Sequence, residues 1–195
     1  MTFFNQILFD TPQLVQFISR TPTSKLLEKA RVIFDAGAAR VELKSRAAGY
    51  GYFEGVHVKV LCKQLDWQIL SLEQICTLCL PPLSILEDLY ISEYRSWEQH
   101  WQDNVENTLW LELLHPFTGV KNLYLSEEFA RRIAPALQEL DGGRATEVLP
   151  ALENIFLQGL GHGIGKFVAT RQVTGHTIAV SRWDRRTEHV TKLYS

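Results

Sequence analysis

Three heptads along the chain share one pattern of apolar and polar positions: LEDLYIS from Leu86 to Ser92, VKNLYLS from Val120 to Ser126, and LENIFLQ from Leu152 to Gln158. Each reads aliphatic, charged, acidic or amide, aliphatic, aromatic, aliphatic, small or polar. In a chain with 46% hydrophobic residues, three chosen apolar positions match by chance at roughly one start in ten. The weight therefore rests on agreement at all seven positions. The starts lie 34 and then 32 residues apart, and internal periods of that length mark solenoids. Looser copies fall at Phe4, Ile7 and Phe9; at Leu27, Ala30 and Val32; at Phe53, Val56 and Val58; and weakly at Ile178 and Val180.

The alternation predicts strands. Leu89 and Ile91 then point to one face while Asp88, Tyr90 and Ser92 point to the other. Strands covered on both faces read as near-continuous apolar runs, and these heptads instead keep one polar edge. The expected fold is α/β: a leucine-rich-repeat-like solenoid with a parallel sheet on one face, helices on the other, and about six or seven irregular rungs. Residues 1–183 are expected to form one domain, with 184–195 as a charged tail.

Between the rungs the pattern turns helical. Thr11 and Pro12 supply a hydroxyl cap and a first-turn proline. Gln64 to Leu80 carries an apolar stripe that Pro81 and Pro82 end. Asp103 and Glu106 have capping-box spacing for a helix reaching about Leu114, and Ser126 caps another that Pro135 is expected to kink or split. VHVKVLC alternates strictly, with Val56, Val58 and Val60 inward and His57 and Lys59 outward. Val41 and Leu43 form a shorter alternation. Lys44 to Gly55 reads as a surface loop or hairpin end.

At 195 residues the chain suffices for one domain with a substantial core. A formal charge of -2 argues against a nucleic-acid surface. No apolar run reaches the length of a membrane span, and Met1 to Asp10 lacks the basic start and cleavage site of a secretory signal. Three cysteines suit a reducing compartment, so the cytoplasm or nucleus is the expected location.

Chemical motifs are sparse. Cys76 and Cys79 form a C-x-x-C without a second ligand pair, which points to buried packing. Gly159, Gly161, Gly163 and Gly165 before Lys166 fail the phosphate-loop spacing, because Leu160 and Phe167 stand where glycine and a hydroxyl are required. Glu112 and His115 lie one helical turn apart, in keeping with a helix end. No serine-nucleophile signature occurs. Trp97 and Trp101 suit either packing or a partner anchor. No cofactor and no metal are expected.

What stands out is the polar face of the sheet. Stacking the rungs in register puts Arg31, Tyr90, Tyr124 and Phe156 at equivalent positions, with His57 nearby, and Lys29, Asp88, Asn122 and Asn154 beside them. Aromatics and arginine that anchor, with amides that adapt, compose a protein-recognition surface. Cross-strand aromatics that stabilise the sheet are the competing account. The expected protein-binding residues are Arg31, His57, Asp88, Tyr90, Asn122, Tyr124, Asn154 and Phe156.

The segments LPPLSILEDLYIS, DNVENTLWLELLHPFTGVKNLYLS and VLPALENIFLQGL, together with DTPQLVQFISRTP, resemble the C-terminal leucine-rich-like regions of fungal F-box-type proteins over roughly Phe3 to Asp184. The resemblance implies a non-enzymatic protein-interaction module that selects substrates for a ubiquitin ligase. It carries no catalytic residues. The helical Leu-Pro-x-Glu segment that docks such proteins on the ligase scaffold does not precede the first rung, so direct scaffold contact is not expected. Two alternatives stay open. One is a small α/β enzyme with its site beyond the carboxyl ends of parallel strands, near Ser92, Ser126 and Gly159 to His162; the other is a fragment without independent activity.

Overall fold

The computed structural model describes residues 27–45, 55–94, 105–159, 163–184 and 189–192. The expected first rung, the Thr11–Pro12 helix, Trp97, Trp101, Asp103 and His162 lie outside the described residues.

The alternating segments become strands β1 (Leu27–Asp35), β2 (Ala38–Ser45), β3 (Gly55–Leu61), β4 (Asp88–Glu93), β5 (Asn122–Leu125), β6 (Asn154–Leu157), β7 (Ala179–Asp184) and β8 (His189–Lys192). They form one open sheet in the order β3-β2-β1-β4-β5-β6-β7-β8. Strands β1, β4, β5, β6 and β7 run parallel, whereas β2, β3 and β8 pair antiparallel to their neighbours. Register follows the apolar positions: Ala30, Leu89, Leu123, Ile155 and Val180 lie in one line across the parallel strands. A slip of one residue would turn this line toward the opposite face. The first four of these residues are fully buried.

Two expectations change. Phe53 to Val58 was expected to supply a parallel rung between those at Leu27 and Leu86. Instead Gly55–Leu61 is the outer strand of an antiparallel meander, and β1 pairs directly with β4. Ala36 and Gly37 leave only two residues between β1 and β2, and a parallel return needs a crossover of a dozen or more. The chain must therefore come straight back. At the other end, His189–Lys192 of the expected charged tail forms β8 against β7.

The described helices are α1 (Leu65–Gln74), α2 (Asn107–Leu114), α3 (Glu127–Gln138) and α4 (Gly165–Val173). Their apolar sides and one face of the sheet make a single core that includes Ile69, Leu72, Trp110, Phe129, Ile133 and Phe167. Phe34 of β1 stacks on Phe129 at 4.7 Å and meets Trp110 edge-on at 5.9 Å, which fixes α2 and α3 over the sheet centre.

Helix α1 continues through a wider turn at Ile75–Cys79, with the Leu80 amide donating to the Ile75 carbonyl, until Pro81 and Pro82 stop it. Helix α2 opens at Asn107, with Glu106 in the cap position. Helix α3 runs unbroken through Pro135. Pro135 and Arg131 are both exposed, so water can serve the Arg131 carbonyl that the missing proline N–H leaves free. From α4 the buried Arg171 donates to the carbonyls of Val148 and Leu149 at 2.6 and 2.9 Å. It braces the turn before β6, where Leu149 adopts a φ of 52°. No described helix is long and apolar enough to cross a membrane.

Candidate functional site: the open sheet face

The described helices occupy one sheet face, and the polar heptad positions occupy the other. Because β1, β4, β5 and β6 keep their register, side chains of one kind stack across the strands in two rows.

The first row is polar. Lys29 Nζ stands 3.8 Å from the Asp88 carboxylate. Asn122 Nδ2 donates to Asp88 Oδ1 at 2.8 Å, and Asn154 Nδ2 donates to Asn122 Oδ1 at 2.8 Å. Asn122 thus uses its nitrogen toward Asp88 and its oxygen toward Asn154, an orientation that keeps like groups from facing each other along the row.

The second row is aromatic. Register brings His57 opposite Glu42, Glu42 opposite Arg31, Arg31 opposite Tyr90, Tyr90 opposite Tyr124, and Tyr124 opposite Phe156. Tyr90 and Tyr124 stack with centroids 4.1 Å apart and planes 9° apart; Tyr124 and Phe156 stack at 4.4 Å and 11°. The Arg31 guanidinium caps the row 5.2 Å from the Tyr90 centroid. Since the ring planes face along the row, their faces are spent on one another and their edges point away from the sheet. Burial pushes the Tyr90 phenol above its usual range, with Tyr124 and Asp88 adding to the effect and Arg31 opposing it. Tyr90 thus stays a neutral hydroxyl.

All eight expected binding residues lie on this face. His57 is exposed, while the other seven are half-buried rather than fully wet. Trp183 was not foreseen: it meets Tyr90 and Tyr124 edge-on at 5.7 and 5.4 Å and is itself buried. The signal was present, because alternation along β7 puts Ala179, Ser181 and Trp183 on one side. The polar partners of the Val41 and Leu43 alternation were also passed over. Arg40 and Lys44 flank Glu42 at 3.4 and 3.1 Å, and Arg40 lies 5.0 Å from the Tyr94 ring centroid.

Other candidate chemistry is placed as follows. Glu112 and His115 line a groove of 540 Å³ in the helix layer, together with Glu73, Arg144 and Glu147. Within it Arg144 pairs with Glu147 and Thr77 donates to Glu73. No group of three or more His, Cys, Asp or Glu side chains among the described residues is arranged to hold a metal ion. Cys76 and Cys79 are buried free thiols, and burial, then Glu73 and Cys79, pushes the Cys76 thiol well up. The thiolate needed for redox or metal chemistry is therefore disfavoured. At the carboxyl ends of the strands, Ser126 is fully buried and its hydroxyl donates to Glu93. Ser92 is buried too. The chain matches no protein-family model and no curated relative.

Proposed function

We propose that the chain is a non-enzymatic interaction module, a leucine-rich-repeat-like solenoid that holds a protein partner on its open sheet face. One observation carries this reading: four parallel strands, β1, β4, β5 and β6, set their side chains in two registered rows on the face that the described helices leave uncovered. Repeat arrays of this kind use such extended faces for binding. The resemblance to F-box-type proteins supports substrate selection for a ubiquitin ligase as the setting.

The enzyme alternative needs a crevice at the carboxyl ends of parallel strands, where the strand order reverses and loops part to either side. The order does reverse between β1 and β4. Yet β1 leaves by a tight hairpin, and the Tyr94 amide donates to the Phe34 carbonyl at 2.7 Å across that junction. The ends are tied together where a crevice would have to open.

The test is selection of peptides from a random displayed library on the folded chain, with the bound footprint mapped by amide hydrogen exchange. Protection concentrated in β1, β4, β5 and β6, and lost in an Arg31→Ala/His57→Ala variant, supports the proposal. A footprint over the groove between Glu112 and Glu147 overturns it.

A further inference from the structure

Resting on that reading, we infer that the partner presents an acidic segment, received by the β1–β3 end of the open face. Charge is distributed unevenly there. On this face β1, β2 and β3 project five cations, Lys29, Arg31, Arg40, Lys44 and Lys59, against two carboxylates, Asp35 and Glu42. The whole chain carries a formal charge of -2, so this quarter runs against the balance of the molecule. The β4–β6 part of the face offers one carboxylate, Asp88, among amides and rings.

Cations outnumber carboxylates among the described side chains of this end. Arg40 Nε and Lys44 Nζ both pair with the one carboxylate of Glu42, at 3.4 and 3.1 Å, and Lys29 pairs with Asp88 of β4 at 3.8 Å. Arg31 faces the Tyr90 ring and pairs with no carboxylate among the described residues. The same holds for Lys59, which is exposed on the outermost strand. Like charges held together on a surface are relieved by an anionic partner, and such a field also speeds its arrival.

A basic area beside aromatic rings also suits single-stranded nucleic acid, where bases stack on exposed ring faces. Here those faces are taken: Tyr90, Tyr124 and Phe156 stack on one another within 4.4 Å. Trp183 meets Tyr90 and Tyr124 edge-on, so the cations of β1 to β3 are the groups left for a partner to engage. Cations beside rings already stacked on one another favour the carboxylates of a peptide over nucleobases, which need ring faces. The geometry thus selects an acidic polypeptide.

The experiment pans the random peptide library on the intact chain and on an Arg31→Glu/Lys59→Glu variant whose thermal unfolding matches it. Two labelled probes are titrated alongside, an Asp/Glu-rich peptide carrying one phenylalanine and an oligothymidylate. The expected pool is enriched in Asp and Glu, the acidic probe binds and weakens with added salt, and charge reversal lowers its affinity roughly tenfold or more. A neutral or basic pool whose footprint still lies on the open face overturns the acidic partner while leaving the face as the docking site. A footprint on the helix layer overturns both readings. Tighter binding of oligothymidylate than of the acidic peptide overturns the inference in favour of nucleic acid.

Discussion

The two ends of the open face are built on opposite rules. Across β4, β5 and β6 the same residue type recurs at each height, and every member finds its partner in its own copy on the next strand: amide with amide, ring with ring. Across β1, β2 and β3 the chain does not repeat, and cations of several strands share few carboxylates. Repetition yields rows that are satisfied internally. The non-repeating hairpin carries more cations than carboxylates among its described side chains. On the proposed reading the rows hold the scaffold, and the hairpin end is where a partner would gain most.

The comparison breaks most visibly in the core beneath the rows. Leu123 is fully buried between Leu89 and Ile155, and Leu123→Ala should lower unfolding free energy by about 2–5 kcal/mol. Val56, its counterpart on β3 in the line through Leu43, Ala30 and Leu89, is only half-buried, and Val56→Ala should cost about 1 kcal/mol. Urea unfolding of the two variants measures the difference. Equal costs would mean that β3 is held as firmly as the repeat.

The aromatic row comes next. Tyr124 stacks on both neighbours. Tyr124→Ala should cost about 2 kcal/mol, since each aromatic pair contributes about 0.5–1.5 kcal/mol, while Tyr124→Phe should keep nearly all of it. The Tyr90 phenol adds a pH signature. Its folded pKa is raised, so its contribution to stability is complete below the ordinary phenol range near pH ~10 and falls as pH rises above it. Alkaline unfolding should therefore be steeper in the native chain than in Tyr90→Phe, and matching slopes would show that burial does not hold the proton. In the polar row, Asn122→Ala removes the links to both Asp88 and Asn154. It should cost about 1–2 kcal/mol in the same urea measurement.

Legibility follows the same division. The register of β4, β5 and β6 can be read from the heptads because seven matched positions admit one alignment, and a slip would bury Tyr124 in place of Leu123. Arg31 and Lys29 are correctly aligned by the Leu27, Ala30 and Val32 copy. Alternation reports which face a residue takes and says nothing of strand direction. VHVKVL therefore fits an antiparallel edge as well as a parallel rung, and the two-residue connection at Ala36 and Gly37 was the stronger signal. Strand β8 hides among charges, with one apolar residue, Val190, in its four positions. The half-burial of the ladder is not written in any single heptad, because Trp183 reaches it from β7. The tie of Arg171 to the turn before β6 joins residues 22 and 23 positions apart with no shared pattern to announce it.

The smallest expected effect sharpens the comparison most, because it falls where the two ends meet. Arg31 belongs to the hairpin end by charge and to the ladder by its contact with Tyr90. If it served mainly as the ladder's cap, Arg31→Ala would cost the full worth of a desolvated cation–π contact, about 2 kcal/mol. Arg31 is half-buried and answers no carboxylate among the described residues, so its guanidinium is partly hydrated and its removal also relieves repulsion from Lys29 and Arg40. The expected loss is therefore about 0.5–1 kcal/mol in urea unfolding. Peptide binding, by contrast, should weaken several-fold, since the proposed partner's carboxylate would lose the cation that caps the rings. A stability loss near 2 kcal/mol with unchanged binding would assign Arg31 to the scaffold and move the boundary between the two ends from β1 to β2.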